Sequence, residues 1–157
     1  MRLLVDADAC PGPIKEIIFR AANRCRVETT LFANHHVRVP KSPYLRSVQV
    51  EQGFDVADER ILAALSAGDL VITGDIPLAA QVVDKQGAAL NPRGTLYTAD
   101  NIKEHLTRRD FLEDMRSTGA ITGGPSALDK SHIQTFANRL DVYLTRHAGE
   151  SANASRP

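Results

Sequence analysis

Asp69-Leu70-Val71-Ile72-Thr73-Gly74-Asp75-Ile76-Pro77-Leu78 is the stretch that decides the fold. Its first five residues are apolar and β-branched at the centre and read as a buried strand. Gly74-Asp75 is a tight turn. Pro77 suits the first turn of a helix, where a missing N–H leaves no intrahelical bond unmade. Leu78, Ala79, Val82 and Val83 then share one helical face. The N-terminus repeats this grammar. Arg2-Leu3-Leu4-Val5 reads as a strand ending in Asp6-Ala7-Asp8, and Pro11 and Pro13 open a helix carrying Ile14, Ile17, Ile18, Ala21 and Ala22 at helical spacing. Strand–helix alternation at this spacing predicts an α/β three-layer sandwich, a mostly parallel central sheet with helices on both faces.

The intervening and following segments fit the same plan. Val27 to Phe32 reads as a β-branched strand, 35–46 as a loop carrying Pro40 and Pro43, and Val48 and Val50 as a short strand. Asp58 is expected to cap a helix bearing Ile61, Leu62 and Leu65, which Gly68 ends. Past Gly87, Ala88-Ala89-Leu90 is short and apolar, Asn91-Pro92-Arg93-Gly94 is a turn, and Leu96 to Thr98 is a further strand. Asp100 or Asn101 is expected to cap a helix running through Met115. A Gly-rich loop follows from Ser117 to Ser126, and a last helix carries Ile133, Phe136, Ala137, Leu140 and Leu144. Residues 1–148 are expected to form one domain. Residues 149–157, small and polar, are expected to form a flexible tail.

Composition narrows the function classes. The chain has 157 residues, enough for one domain with a real core. Formal net charge is zero, so no global field draws it to nucleic acid or membrane, and any such attraction must be local. The apolar start is broken by Asp6 and Asp8, so no secretory leader is expected, and no apolar run is long enough to span a bilayer. Two cysteines, Cys10 and Cys25, indicate no disulfide framework and suit a reducing cytoplasm.

Open parallel sheets bind ligands outside the carboxyl ends of their strands, and acidic residues gather there in this sequence. Asp6 and Asp8 follow the first strand and Asp75 follows Asp69 to Thr73. Asp55, Asp58 and Glu59 lie at a helix start between them, and Asp100 follows the strand at Leu96. Crowded carboxylates repel one another and raise their own pKa values, and a bound Mg²⁺ or Mn²⁺ relieves that cost. Such an ion serves phosphoester hydrolysis. Asp69 precedes its strand at the opposite sheet edge and reads as a turn or cap residue.

Residues 20–46 hold Arg20, Arg24, Arg26, Arg38, Lys41 and Arg46 against Glu28 alone, a local excess suited to a phosphate backbone. Arg38, Lys41, Arg46 and the turn arginine Arg93 are the substrate-binding candidates. Asp129 precedes the last helix and reads as a cap. Cys10 has no histidine near it in sequence, and His35-His36 has no partners at zinc spacing, so thiol catalysis and a zinc site are both disfavoured.

Four ordered motifs carry a wider resemblance: Val5 to Pro11, Gly53 to Asp58, Asp69 to Leu78, and Asn91 to Gly94. The Gly123-Gly124-Pro125 loop with Asp129 and Phe136 accompanies them. Together they resemble the YaiI/YqxD family of uncharacterised bacterial proteins, over about residues 3 to 144. That family looks like a member of the PIN-like superfamily of metal-dependent nucleases. The resemblance implies strand-end aspartates holding Mg²⁺ or Mn²⁺ for phosphodiester hydrolysis. Asp6 and Asp75 are then the first metal-ligand candidates, Asp8 and Asp58 the next, and Asp55 and Asp100 further additions. The chain departs from the family pattern at Glu59, where a second Asp is frequent, and at Gly74, where Gln is frequent.

Three functions are carried forward. The first is a metal-dependent nuclease, with RNA the expected substrate and Asp6, Asp8 and Asp75 catalytic. The second is a non-catalytic RNA-binding or regulatory protein on the same fold. The third is a small-molecule phosphatase of haloacid-dehalogenase type, suggested by Asp6-x-Asp8 and by Thr73 ending a later strand.

Overall fold

The computed structural model describes residues 1–53, 55–122 and 127–154, with backbone alone for 148–154. Six strands form one sheet: β1 (Leu3–Asp6), β2 (Thr29–Ala33), β3 (Leu45–Gln49), β4 (Leu70–Ile72), β5 (Ala88–Leu90) and β6 (Leu96–Tyr97). Five helices surround it: α1 (Gly12–Cys25), α2 (Val56–Ala64), α3 (Ile76–Asp84), α4 (Ile102–Ser117) and α5 (Lys130–Ala154). Strand order is β3-β2-β1-β4-β5-β6. Every neighbouring pair is parallel except β5 and β6. This is the expected three-layer sandwich.

Alternation along the strands sorts the core into two. Leu3, Val5, Leu31, Leu70, Ile72 and Leu90 point to the face covered by Ile14 and Ile18 of α1 and by Phe136, Leu140 and Leu144 of α5. Leu4, Phe32, Val71 and Ala89 point the other way, onto Ile61 of α2, Leu78 and Val82 of α3, and Ile102 of α4. Strands buried on both faces need no polar alternation, so β1 and β4 read as continuous apolar runs. The chain first winds outward from β1 to β2 and β3, then returns to place β4 on the other side of β1. The winding direction therefore reverses between β1 and β4, which is where such sheets open a ligand crevice.

Several boundaries differ from expectation, each for a local reason. The third strand begins at Leu45, inside the expected loop, because Leu45 to Gln49 pairs along the whole of β2. Asp58 is not the cap of α2. The N-cap position is Asp55, whose backbone is left-handed (φ 62°) and whose side chain makes no cap bond. Asn101 occupies the N-cap of α4, but its side chain accepts from Thr98 N and donates to Leu96 O, fixing the preceding turn instead. The turn at Asn91 to Gly94 is a hairpin: Gly94 N donates to Asn91 O and Asn91 N to Thr95 O. It reverses the chain, so β6 runs antiparallel. Gly94 (φ 94°) has no room for a side chain, since an added Cβ would lie 2.5 Å from Thr135 Cγ2 and 2.9 Å from Phe136 N. The last helix extends to Ala154, and 155–157 lie outside the described residues. Phe54 and the Gly123–Pro125 motif also lie outside them.

Candidate acidic site

β1 and β4 end side by side, and each delivers one aspartate to the crevice. Asp6 is the last residue of β1. Asp75 follows β4 and caps α3, its Oδ1 accepting from Leu78 N at 3.0 Å. Thr73, buried between them, joins the two. Its hydroxyl donates to Asp6 Oδ2 at 3.0 Å and accepts from Asp75 N at 3.0 Å. The first turn of α2 adds Asp58 and Glu59, with Asp55 just before it. These five carboxylates line one cleft of about 730 Å³.

The electrostatics follow from that crowding. Burial raises the Asp6 carboxyl above its usual range, opposed by the Thr73 hydrogen bond and reinforced by the negative charges of Asp8 and Asp75. Asp58 is pushed up to about 6, first by burial and then by the charges of Asp75, Asp6 and Asp55, with a hydrogen bond that its protonated form donates to Asp55 adding to the effect. Both shifts favour the protonated carboxyl more than in an isolated aspartate.

The fit to a cation rests on this donor set. All the acidic groups offer oxygen, which suits Mg²⁺ or Mn²⁺ rather than softer metals. Among the described residues no three Asp, Glu, His or Cys side chains stand close enough to enclose an ion by themselves. Mg²⁺ does not require that, since it keeps several waters and takes one or two carboxylates with substrate phosphates.

The other sequence candidates lie elsewhere. Asp8 turns away from the cleft: its two oxygens accept from Asn34 N at 3.1 and 3.0 Å, and Oδ1 lies 3.0 Å from His35 Nδ1. Asp100 is exposed and lines no part of the cleft. The antiparallel β6 carries its own end toward the opposite sheet edge. Asp129 opens α5 as a cap, accepting from Ser131 Oγ at 2.6 Å and His132 N at 3.0 Å, and these bonds hold its carboxyl below the usual range. Arg93 sits in the hairpin turn, with Nη1 3.4 Å from His132 Nε2, and does not line the cleft. Arg46 lies with Arg2, Glu28 and Tyr44 at the amino edge of the strands. Lys41 is exposed on the connection that Ser42 ties to Asn23 of α1. Arg38 lines a separate groove with His35 and His36. The excess of positive charge over 20–46 is thus dispersed rather than gathered beside the carboxylates.

The cations at the cleft come from α4 instead: Arg109 and Arg116 line it, with Glu113 between them. Arg109 is paired with Asp110 at 3.1 Å and Glu113 at 3.2 Å. Sequence reasoning missed them because α4 carries Lys103, Arg108, Arg109 and Arg116 against Glu104, Asp110, Glu113 and Asp114, a balanced count. Their seven-residue spacing, which puts both on one helical face, was the available signal. Cys10 is buried, and burial pushes its thiol up to about 12, which argues against a nucleophile. Among the described residues no helix is long and apolar enough to cross a membrane.

The comparisons agree with the motifs. Residues 4–146 match the family described as "Uncharacterized BCR, YaiI/YqxD family". A UPF0178 protein of Syntrophotalea carbinolica is 59% identical over 147 residues, covering 94% of this chain and 99% of its own. One of Shewanella halifaxensis is 58% identical over 147 residues, covering 94% and 97%. One of Halorhodospira halophila is 58% identical over 150 residues, covering 96% and 99%. No solved structure matches. Matched across nearly its whole length by family and relatives alike, the chain belongs to the YaiI/YqxD family of uncharacterised bacterial proteins.

Proposed function

We propose that the acidic cleft holds Mg²⁺ or Mn²⁺ and that the protein hydrolyses phosphodiesters, with RNA as substrate. The observation that carries this reading is the convergence of Asp6, Asp58 and Asp75, with Asp55 and Glu59, in one cleft that Arg109 and Arg116 also line. Asp6 and Asp75 would hold the ion, with Asp58 beside them in the cleft. When bound, it supplies activation of water and polarisation of a phosphoryl oxygen. Thr73 fixes the direction of the Asp6 carboxylate. Asp75 is held by its cap bond through Oδ1, which leaves Oδ2 outside that bond. Arg109 and Arg116 would take the phosphate, a planar guanidinium matching two of its oxygens.

The strand order and strand-end aspartates are compatible with a PIN-like nuclease fold. Two free cysteines suit a reducing cytoplasm as the place of action. The phosphatase reading needs Asp8 beside Asp6 as a proton donor, and the engagement of Asp8 with Asn34 and His35 weighs against it.

The test is cleavage of end-labelled single-stranded RNA with Mn²⁺, Mg²⁺ or EDTA, comparing wild type with Asp75→Asn. Asparagine caps helices about as well as aspartate, so α3 is retained. Metal-dependent cleavage is expected in the wild type and a drop of about a hundredfold or more in the variant. RNA binding without turnover in any metal would establish the non-catalytic alternative.

A further inference from the structure

The β1–α1 connection is a wall with two sides. Asp6 and Ala9 face the acidic cleft, whereas Gly12 lines a second groove of about 320 Å³. Lys15 of α1 and His35, His36 and Arg38 from the segment after β2 line this groove, over Phe19 and Val37. Two of these groups carry a fixed positive charge, and His36 is an exposed imidazole. His35 lies 3.0 Å from Asp8, the residue two beyond Asp6, and Asp8 itself stands outside the acidic cleft. One carboxylate, Glu16, sits among the cations. The first turn of α1 holds no acidic residue, and Pro11 at its N-cap gives no side-chain cap.

We infer that this groove is a phosphate-binding subsite for single-stranded polynucleotide, continuing from the acidic cleft across the β1–α1 wall. The inference rests on the phosphodiester reading above and adds the direction in which the substrate leaves the site. Exposed cations over a shallow apolar floor suit a backbone held by charge, without base readout. The two fixed charges, Lys15 and Arg38, match about two phosphates of one strand.

The experiment is fluorescence anisotropy of a labelled oligouridylate of about a dozen nucleotides, in EDTA to prevent turnover, across a salt series. The Lys15→Ala/Arg38→Ala double variant is expected to bind about tenfold more weakly, with a log–log salt slope shallower by about 1.4, the value for two single-strand phosphates. Glu16→Gln is expected to bind about twofold to threefold more tightly. Lys85→Ala, which removes a cation just past the far end of α3, is the control and should match wild type. An unchanged affinity and slope in the double variant, or no RNA bound by wild type, would overturn the groove. Wild-type Mn²⁺-dependent turnover of bis(p-nitrophenyl) phosphate decides the hydrolase reading separately, because that ester is too short to span both sites. Turnover without a groove effect removes this inference alone.

Discussion

Thr73 holds both strand-end aspartates with one hydroxyl, donating a hydrogen bond to Asp6 and accepting one from the backbone N–H of Asp75. Replacing it by valine keeps the shape and removes both bonds, leaving a part-buried N–H unpaired and a carboxylate undirected, a loss of about 1–2 kcal/mol. Thr73→Val is expected to lower the melting temperature and to weaken Mn²⁺ binding by calorimetry at least about tenfold, while Thr73→Ser keeps most of both. Equal Mn²⁺ affinity in wild type and Thr73→Val would show that the hydroxyl serves folding alone. At this scale the sequence was partly legible. Asp6 and Asp75 could be found because a strand followed by a proline-opened helix fixes where the crevice lies. Asp8 shares that local position yet points to Asn34, because side-chain direction depends on which donor lies nearest in space. The two arginines of α4 approach from a helix that no strand end announces.

Among the elements, β1 and β4 are also tied at their amino ends. Asp69, almost wholly buried, accepts from Arg2 N at 2.9 Å and Ser66 N at 2.9 Å and pairs with the Arg2 guanidinium at 2.9 Å. The residue read from sequence as a turn or cap therefore latches the two central strands together at the edge away from the site. Asp69→Ala is expected to destabilise the protein by about 1–3 kcal/mol, since it leaves part-buried donors of Arg2 and Ser66 without their acceptor, whereas Asp69→Asn keeps part of the pairing. Urea denaturation of the three proteins would measure this, and a change under about 0.5 kcal/mol for Asp69→Ala would show that the latch is idle. The strands and helices themselves were readable from apolar period, turn residues and prolines. What escaped was pairing. The start of β3 at Leu45 and the reversal of β6 are set by neighbouring strands, and the reversal alone moves Asp100 out of the candidate site.

For the molecule as a whole, the acidic cleft is a stability debt that depends on pH. In EDTA, Asp58 releases its proton near 3.8 in the unfolded chain and near 6 in the folded one. Below the lower value both states are protonated. As pH rises between the two, the unfolded chain ionises first, so stability falls across pH 4 to 6 and stays lowered above it. After allowance for solvent screening at a half-exposed group, the loss is about 1 kcal/mol. Thermal melts in EDTA should show a falling melting temperature over that range, absent in Asp58→Asn, and Mn²⁺ should restore more stability at pH 7 than at pH 4. A flat profile in wild type would show that Asp58 titrates normally. The strand order has a further consequence for how the protein is made. β1 leaves the ribosome before β2 and β4 yet becomes the centre of the sheet, pairing with β2 early and waiting for β4 until residue 72 has emerged. A nascent chain shorter than this presents Asp6 on an open strand edge with no partner from Asp75. The acidic site therefore forms only once Asp75 has emerged, and no fragment ending before Asp75 carries it.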